Sequence, residues 1–299
     1  MARCVIAGVD GSPESLAAAD WAAREAEMRD LPLRLLHAWE WQPYANAPLT
    51  GPVAMRSWAA GVPRDAARAL RERYPTLEVI SEESAGQPVA VLAAAAGESE
   101  VLVLGSRGLH GITGFLVGSV ALAVIATVRR PVVLVRAAKT VEDEHLPDAD
   151  GLASADTPYR DVVLGLDLDR PHDDLLAFAF EAAARRAAPL RVIHGWTLPA
   201  NIHGSGVVLP DLIKASAAER DTALTEALRP WQSKYPEVDV HAHQVIGRPA
   251  DHLVDASGQA CLVVVGRRIR RSTVGSHIGP VTHAVLHHSA APVAVVAHP

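Results

Sequence analysis

The sequence predicts an α/β protein made of two tandem domains, each built on a doubly wound parallel sheet of five strands. The run from Cys4 to Asp10, CVIAGVD, recurs 157 residues later as DVVLGLD, from Asp161 to Asp167. Short runs rich in Val, Ile and Leu alternate with alanine-rich amphipathic stretches, which is typical of buried strands crossed over by helices. The length of 299 residues suits two domains of roughly 100 to 200 residues each. The chain is therefore a tandem duplication.

The first repeat predicts five strands alternating with four helices. The strands are expected near 3–9, 32–38, 77–82, 101–105 and 132–136, and the helices near 14–29, 55–74, 88–97 and 118–128. Ser12-Pro13 and Gly118-Ser119 mark two helix starts, because a hydroxyl caps free amides and proline fits the first turn. The second repeat copies this order from residue 160 onward, and its later landmarks follow the first at a spacing of 161 residues.

The repeats place one domain at 1–138, a second at 160–299 and a linker at 139–159, which is acidic and shows no periodicity. Two further loops, 41–52 and 198–210, follow the second strand of each repeat and could border a ligand. The net charge of −6 and the pI of about 6.1 disfavour nucleic acid as a partner.

No signal peptide and no run of 18 apolar residues is present, so we expect a cytoplasmic protein that is not membrane-spanning. The two cysteines, Cys4 and Cys261, stand at non-equivalent apolar strand starts. Thiols in such places are usually buried and reduced, so we expect neither a disulfide nor a redox role.

The segment from Gly105 to Ser119, GSRGLHGITGFLVGS, holds five glycines in fifteen positions between a strand and a helix. Glycine lets the backbone approach closely, so such a loop can lay amides against phosphate oxygens. Gly118-Ser119 then opens a helix whose free amides and dipole favour an anion. Asp10 ends the first strand where the strand order should reverse, and it could coordinate a metal or accept a hydroxyl. These features predict a triphosphate site.

Neither of the two commonest nucleotide motifs is present. No Gly-x4-Gly-Lys-Ser/Thr occurs, and the first strand is followed by Gly8-Val-Asp-Gly11 instead of Gly-x-Gly-x-x-Gly. P-loop ATPases and standard dinucleotide-binding folds are therefore disfavoured. The chain instead resembles the universal stress protein family, whose signature Gly-x2-Gly-x9-Gly-Ser/Thr is matched by Gly105, Gly108, Gly118 and Ser119. The resemblance covers nearly the whole chain outside the linker.

The resemblance implies a fold like that of the adenine nucleotide alpha hydrolases, with strand order 3-2-1-4-5, and an ATP site like that of the family's ATP-binding branch. ATP would lie over the first and fourth strands, with or without Mg²⁺; no catalytic residue and no dedicated metal site is assigned. Gly8, Val9 and Asp10 would face the nucleoside, and the backbone at Ala38 would meet the adenine. Ribose and phosphates would be held by Gly105, Ser106, Arg107, Gly108, Leu109, His110, Gly111, Gly118, Ser119 and Val120. The family also pairs through its fifth strand, so 131–136 and 292–297 would join two chains as a homodimer or two repeats as a pseudo-dimer.

The second repeat departs from the signature at two positions. Ile269 replaces the second glycine, and Pro280 replaces the capping hydroxyl. A β-branched residue rarely accepts a positive φ, and proline removes an amide, so we expect weak or no nucleotide binding there. The residues that remain as candidates for a weaker second site are Gly165, Asp167, Gly266, Arg268 and Gly279.

Several of these residues also have a purely structural interpretation. Asp10 could cap the following turn through its side chain. His37 and His194, at matching strand ends, are more often hydrogen-bonded structure than acid or base. A zinc site at the His283/His287 pair, with His288 beside it, lacks a third ligand nearby in sequence. Trp39 and Trp196 either pack or border the adenine.

Three functions therefore compete. The leading one is a nucleotide-dependent regulator that reports energy state to unknown protein partners in stress or growth arrest, with at most weak catalysis. The second is a slow ATPase in which Asp10 and a magnesium ion orient water. The third is an assembly module that binds no nucleotide, which the degenerate second repeat favours and the intact first repeat disfavours.

Overall fold

The computed structural model describes residues 3–40, 52–106, 117–137, 140–197, 210–269 and 278–299. These residues form two compact units that divide between Thr140 and Val141. Five of the predicted site residues lie outside the described residues: Arg107, Gly108, Leu109, His110 and Gly111. Nearly all of the two loops predicted to border a ligand lies outside them as well, at 41–51 and 198–209.

In its described part, the first unit alternates five strands with four helices, as predicted. The strands are β1 (Cys4–Gly8), β2 (Leu33–Trp39), β3 (Val79–Ala85), β4 (Ser99–Ser106) and β5 (Val132–Arg136). The helices are α1 (Pro13–Arg29), α2 (Pro52–Arg73), α3 (Pro88–Ala96) and α4 (Ser119–Thr127). The bounds differ from the predicted ones by only a few residues, because proline and the capping residues fix most helix starts.

The strands of this unit lie in the order β3-β2-β1-β4-β5 and all pair in parallel. In the register, Val5 lies beside Leu33 of β2 on one side and Val101 of β4 on the other. The strand order therefore reverses between β1 and β4, as the doubly wound prediction requires. The core is apolar and largely aliphatic, with Trp21 of α1 among the largest fully buried side chains.

The second unit repeats the architecture. Its strands are β6 (Asp161–Gly165), β7 (Leu190–Trp196), β8 (Val240–Ile246), β9 (Ala260–Arg268) and β10 (Val293–His298). Its helices are α5 (Asp173–Arg186), α6 (Pro210–Lys234), α7 (Pro249–Ser257) and α8 (Pro280–His288). The strands lie in the order β8-β7-β6-β9-β10, again all parallel. The α/β fold with two tandem parallel sheets is thus confirmed. Among the described helices, none is long and apolar enough to cross a bilayer.

One helix start differs between the repeats. By the 157-residue spacing, α5 begins three residues later than α1. The N-cap of α1 is Ser12, followed directly by Pro13. The N-cap of α5 is His172, whose ring accepts a hydrogen bond from the amide of Asp174 at 3.3 Å. Pro171 keeps Arg170, the equivalent of Pro13, out of the helical region, and His172 then serves as the N-cap.

The segment 141–160, which falls mostly within the predicted linker, packs onto the second unit. It contains a short 3₁₀ helix at Glu142–Glu144, and His145 is buried behind it. The His145 ring lies 4.0 Å from the ring of Tyr159 and donates from Nδ1 to the Thr157 carbonyl. Arg186 of α5 stacks over Tyr159 at 5.7 Å. The segment, here called the 141–160 arm, is therefore held by side-chain contacts to α5.

Candidate functional site

Five candidate residues of the first repeat lie at one edge of the sheet: Gly8, Val9, Asp10, Gly105 and Ser106. Strands β1 and β4 are neighbours, with Ala7 beside Val103, so the residues that follow β1 lie at the same edge as the end of β4. Val9 and Asp10 extend β1 toward this edge, and Gly105 and Ser106 end β4. The carboxyl edge at a reversal of strand order is where open α/β sheets bind ligands.

Gly105 is required for packing between a strand and a helix. A Cβ at this position would lie 2.5 Å from the backbone carbonyl carbon and oxygen of Glu14, and 2.8 Å from the amide nitrogen of Ser15. Both residues belong to the first turn of α1. The first glycine of the signature thus lets α1 approach β4, a role that the sequence prediction missed. The motif alone does not indicate this role, because the contact joins residues that lie far apart in the sequence.

Packing also explains why residue 8 is a glycine. Its Cβ would lie 2.8 Å from Leu104 Cδ2 and 3.1 Å from Leu92 Cδ2. In the second repeat, Gly165 faces Leu253 of α7 in the same way, at 2.8 Å. Both glycines therefore make room for leucines of the core, whether or not a nucleotide is bound.

Asp10 is exposed, and its carboxylate organises the turn before α1. Its Oδ1 accepts hydrogen bonds from the Ser12 amide at 3.0 Å and from the Ser12 hydroxyl at 2.5 Å. In the second repeat, Asp167 Oδ1 likewise accepts from the amide of Asp169 at 3.1 Å. The turn-capping interpretation of Asp10 is confirmed, and its predicted contact with a nucleoside stays a prediction.

His37 and His194 are buried structural residues. The His37 Nδ1 lies 2.7 Å from the carbonyl oxygen of Val9, and the His194 Nδ1 lies 3.0 Å from that of Leu166. Because a carbonyl can only accept, Nδ1 carries the proton and donates in both rings. Each histidine therefore fixes the backbone just beyond the first strand of its repeat, which is the segment that precedes the aspartate.

Ser106 has a buried side chain that turns away from solvent. The Arg136 guanidinium of β5, directly opposite Ser106 in the register, donates to the Ser106 hydroxyl at 3.5 Å. Burial lowers the pKa of Arg136 to about 10, because the charged form is taken out of water. Ser106 can therefore offer a ligand only its backbone. The sequence analysis did not find Arg136, since nothing local marks an arginine at a strand end as buried.

No side chain of the described residues caps the N-terminus of α4. Gly118 is its N-cap, with an extended backbone at φ −60° and ψ 147° and no side-chain cap. A Cβ on Gly118 would meet no atom of the described residues within 4 Å. Ser119 at the first helical position is exposed, and Val120 is half-buried. The described residues thus leave the first amides and the dipole of α4 accessible to an anion.

The adenine side of the site is described only in part. Ala38 is half-buried in β2, with Ser84 of β3 beside it in the register. In the second repeat, Trp196 is buried, its indole nitrogen donates to Gln244 Oε1 at 2.5 Å, and Arg220 stacks over its ring at 4.5 Å. Packing thus explains Trp196.

The candidate residues of the second repeat lie in equivalent places. Asp167 and Arg268 are exposed at the carboxyl edge of the sheet, and Gly279 caps α8 with open space beside it. The rings of His283 and His287 on α8 lie 4.4 Å apart. Across the described part of the chain, no group of three or more His, Cys, Asp or Glu side chains is placed to hold a metal ion.

The comparisons with known proteins agree on one family. The model of the universal stress protein family matches residues 1–136 and again 158–297. A universal stress protein of Mycobacterium tuberculosis is 33% identical over 302 residues, which cover 97% of this chain and 96% of the relative. Another from the same species is 30% identical over 315 residues, covering 99% and 95%.

Among solved structures, a universal stress protein from Archaeoglobus fulgidus superimposes with a TM-score of 0.68 at 17% identity. The superposition covers 99% of this chain and 98% of the other. At this low identity the likeness bears on the fold, and it supports the two-domain architecture over the full chain.

Proposed function

Because the chain belongs to the universal stress protein family and carries two copies of the family's domain, we propose that its first repeat binds an adenine nucleotide. The expected ligand is ATP. The proposed site is the carboxyl edge of β1 and β4, closed on one side by the N-terminus of α4. The phosphates would meet the amides of Gly118, Ser119 and Val120, together with the glycine-rich segment between β4 and α4.

Gly118 is the observation that carries this proposal. Its neighbours Gly8 and Gly105 are explained by packing, since a Cβ there would lie 2.8 Å and 2.5 Å from other atoms. Gly118 has no such explanation: its φ is negative, and no described atom lies within 4 Å of the Cβ position. A glycine that neither backbone strain nor packing by the described residues demands leaves room for a ligand to approach closely at a helix N-terminus. Gly279 has the same surroundings but is followed by Pro280, which has no amide to donate, whereas Ser119 has one.

The site favours binding over rapid catalysis. The candidate water-orienting carboxylate, Asp10, uses Oδ1 to accept two hydrogen bonds from Ser12. Asp10 is exposed at the phosphate edge and so fits a role as ligand to a Mg²⁺ ion carried by the phosphates, which would neutralise phosphate charge. We therefore propose a nucleotide-dependent regulator in stress or growth arrest, in which hydrolysis is slow or absent. A cytoplasmic location, association through the fifth strands and the identity of protein partners stay predictions.

Two glycines at equivalent helix starts allow a matched test. Gly118 and Gly279 are both N-caps with extended backbones and open space beside them, so alanine costs the same helix stability at each. The test measures the adenine nucleotide released per chain when freshly purified protein is denatured, by chromatography and mass spectrometry.

We expect the wild-type chain and Gly279→Ala to release about one nucleotide per chain, and Gly118→Ala to release little or none. Equal retention by both variants would refute the role of Gly118. An empty wild-type chain that also fails to bind added ATP in equilibrium dialysis would refute the proposed function altogether.

A further inference from the structure

The end of β9 in the second repeat makes a hydrogen bond that the first repeat cannot copy. The carbonyl of Gly266, the equivalent of Gly105, accepts from the buried Thr282 hydroxyl of α8 at 2.7 Å. By the 161-residue spacing, Ala121 stands at the matching position of α4 and has no hydroxyl. In the second repeat a side-chain hydrogen bond therefore ties the backbone at the first signature glycine to the following helix, and residue 121 cannot supply that bond in the first repeat.

The amide of Ile269 is also held by a hydrogen bond. Ile269 stands where the signature has its second glycine, and its amide donates to the carbonyl of His298 at 2.6 Å. This bond continues the parallel ladder in which Arg268 lies opposite His298. By the same spacing, β10 runs one residue further than β5. An amide that is held in a sheet ladder cannot donate to a phosphate oxygen.

The imidazole of His298 fixes the end of β10. It fills the space behind Gly266, with Nε2 2.8 Å from the position of a Cβ there, whereas α1 occupies the equivalent space in the first repeat. The late start of α5 leaves this space open. The ring also lies 5.2 Å from the ring of His172, the N-cap of α5. The His298 ring thus lies behind Gly266, where the first turn of α1 lies behind Gly105, and beside the start of α5.

We propose that these contacts lock the second cradle, so that the chain binds nucleotide in its first repeat alone and restoring the signature residues would not reopen the second. The lock consists of the Thr282–Gly266 bond, the Ile269–His298 bond and the His298 ring. Pro280 adds to it by removing one amide from the first turn of α8. The choice of ligand rests on the proposed function, whereas the lock is a property of the second repeat itself.

The lock is tested first without any ligand, by hydrogen exchange at the Ile269 amide in the full chain. We expect strong protection in the wild type and exchange faster by about tenfold or more after the chain is ended at Ala297, since one hydrogen bond is then lost. His298→Ala, which keeps the carbonyl, should have a smaller effect. Fast exchange in the wild type, or no change on truncation, would overturn the lock.

The second test uses nucleotide retention in a Gly118→Ala background, where the first site is disabled. Ile269→Gly with Pro280→Ser restores the signature, and we expect this variant to stay empty. Adding Thr282→Ala and ending the chain at Ala297 should give retention of about one adenine nucleotide. Retention by the signature-restored variant alone would overturn the lock, and so would an empty unlocked variant that circular dichroism shows to be folded.

The two proposals fail in distinguishable ways. If the wild-type chain with an intact first site binds no ATP, the ligand assignment is wrong, and hydrogen exchange at Ile269 alone decides the lock. If the wild type binds two nucleotides per chain, the first proposal survives and the lock is overturned.

Discussion

Alanine at Gly105 should destabilise the first unit more than alanine at Gly266 destabilises the second. The two positions are equivalent in the repeat, yet their surroundings differ. A Cβ at Gly105 would lie 2.5 Å from the carbonyl carbon and oxygen of Glu14, which are backbone atoms of α1. A Cβ at Gly266 would lie 2.8 Å from His298 Nε2, the far end of a side chain.

The size of the effect follows from what must move. Carbon atoms in contact are normally about 3.5–4.0 Å apart, so the start of α1 would have to shift by roughly 1 Å. Overpacking of this kind costs about 1–3 kcal/mol. The His298 ring can rotate away by contrast, so Gly266→Ala should cost less than about 1 kcal/mol, in the range of ordinary single substitutions.

Because two units need not unfold together, the assay must report each one separately. Urea titration followed by pulsed hydrogen exchange and mass spectrometry does this, with peptides from α1 and β4 for the first unit and from α5 and β9 for the second. The unfolding midpoint of the first unit should fall clearly in Gly105→Ala. An unchanged midpoint, or an equal loss in the second unit of Gly266→Ala, would refute the packing explanation of the signature's first glycine.

Three further outcomes are expected. Replacing His37 with leucine leaves the buried Val9 carbonyl without its 2.7 Å donor and should cost about 1–3 kcal/mol in the same urea assay, with a similar loss for His194→Leu; no loss would contradict the structural role of these rings. Burial is the main cause that lowers the pKa of the half-buried His298 below 6.5, and partial desolvation followed by repulsion from His287 and His288 lowers the pKa of the exposed His283. The unfolded chain therefore binds more protons, and the stability of the second unit should fall as the pH drops below about 6.5. Urea midpoints at about pH 7.5 and 5.5 should show this fall, and it should shrink in a His283→Gln/His298→Gln variant. Burial also raises the pKa of the Cys4 thiol, and that of Cys261 to about 12, so neither thiol should react with DTNB at about pH 8 until the chain is unfolded; rapid labelling of the native protein would disprove this.

The architecture could be predicted from the sequence because its signals are local. Runs such as Val101 to Leu104 are apolar throughout, as strands covered on both faces must be, and the capping residues Ser12 and Gly118 lie beside the helices that they start. Because the chain is duplicated, the pattern of each element occurs twice. The order of the strands came from the family resemblance, and the structure confirms it.

The sequence could not show which glycines are needed for packing and which leave room for a ligand, because this depends on contacts between residues far apart in the chain. A Cβ at Gly105 would clash with the backbone of α1, whereas one at Gly118 would contact no atom of the described residues, yet both glycines belong to one motif. Two further features also depend on contacts between separate strands. These are the burial of Arg136 and the hydrogen bond between Ile269 and His298. The expectation that the second repeat is impaired rested on Ile269 and Pro280, and the roles of Thr282 and His298 became visible only in three dimensions.

The contacts of the 141–160 arm limit where the chain can be divided into fragments for separate study of its halves. A fragment that began at Asp161 would lose the His145–Tyr159 pair and the cover that Tyr159 gives to Arg186. Arg186 is buried in the full chain, so the fragment would gain an exposed cation beside apolar surface. A fragment that begins near Thr140 keeps the arm. A crossover between related tandem proteins that lies before the arm therefore keeps Tyr159 with Arg186, whereas one that lies after the arm separates them.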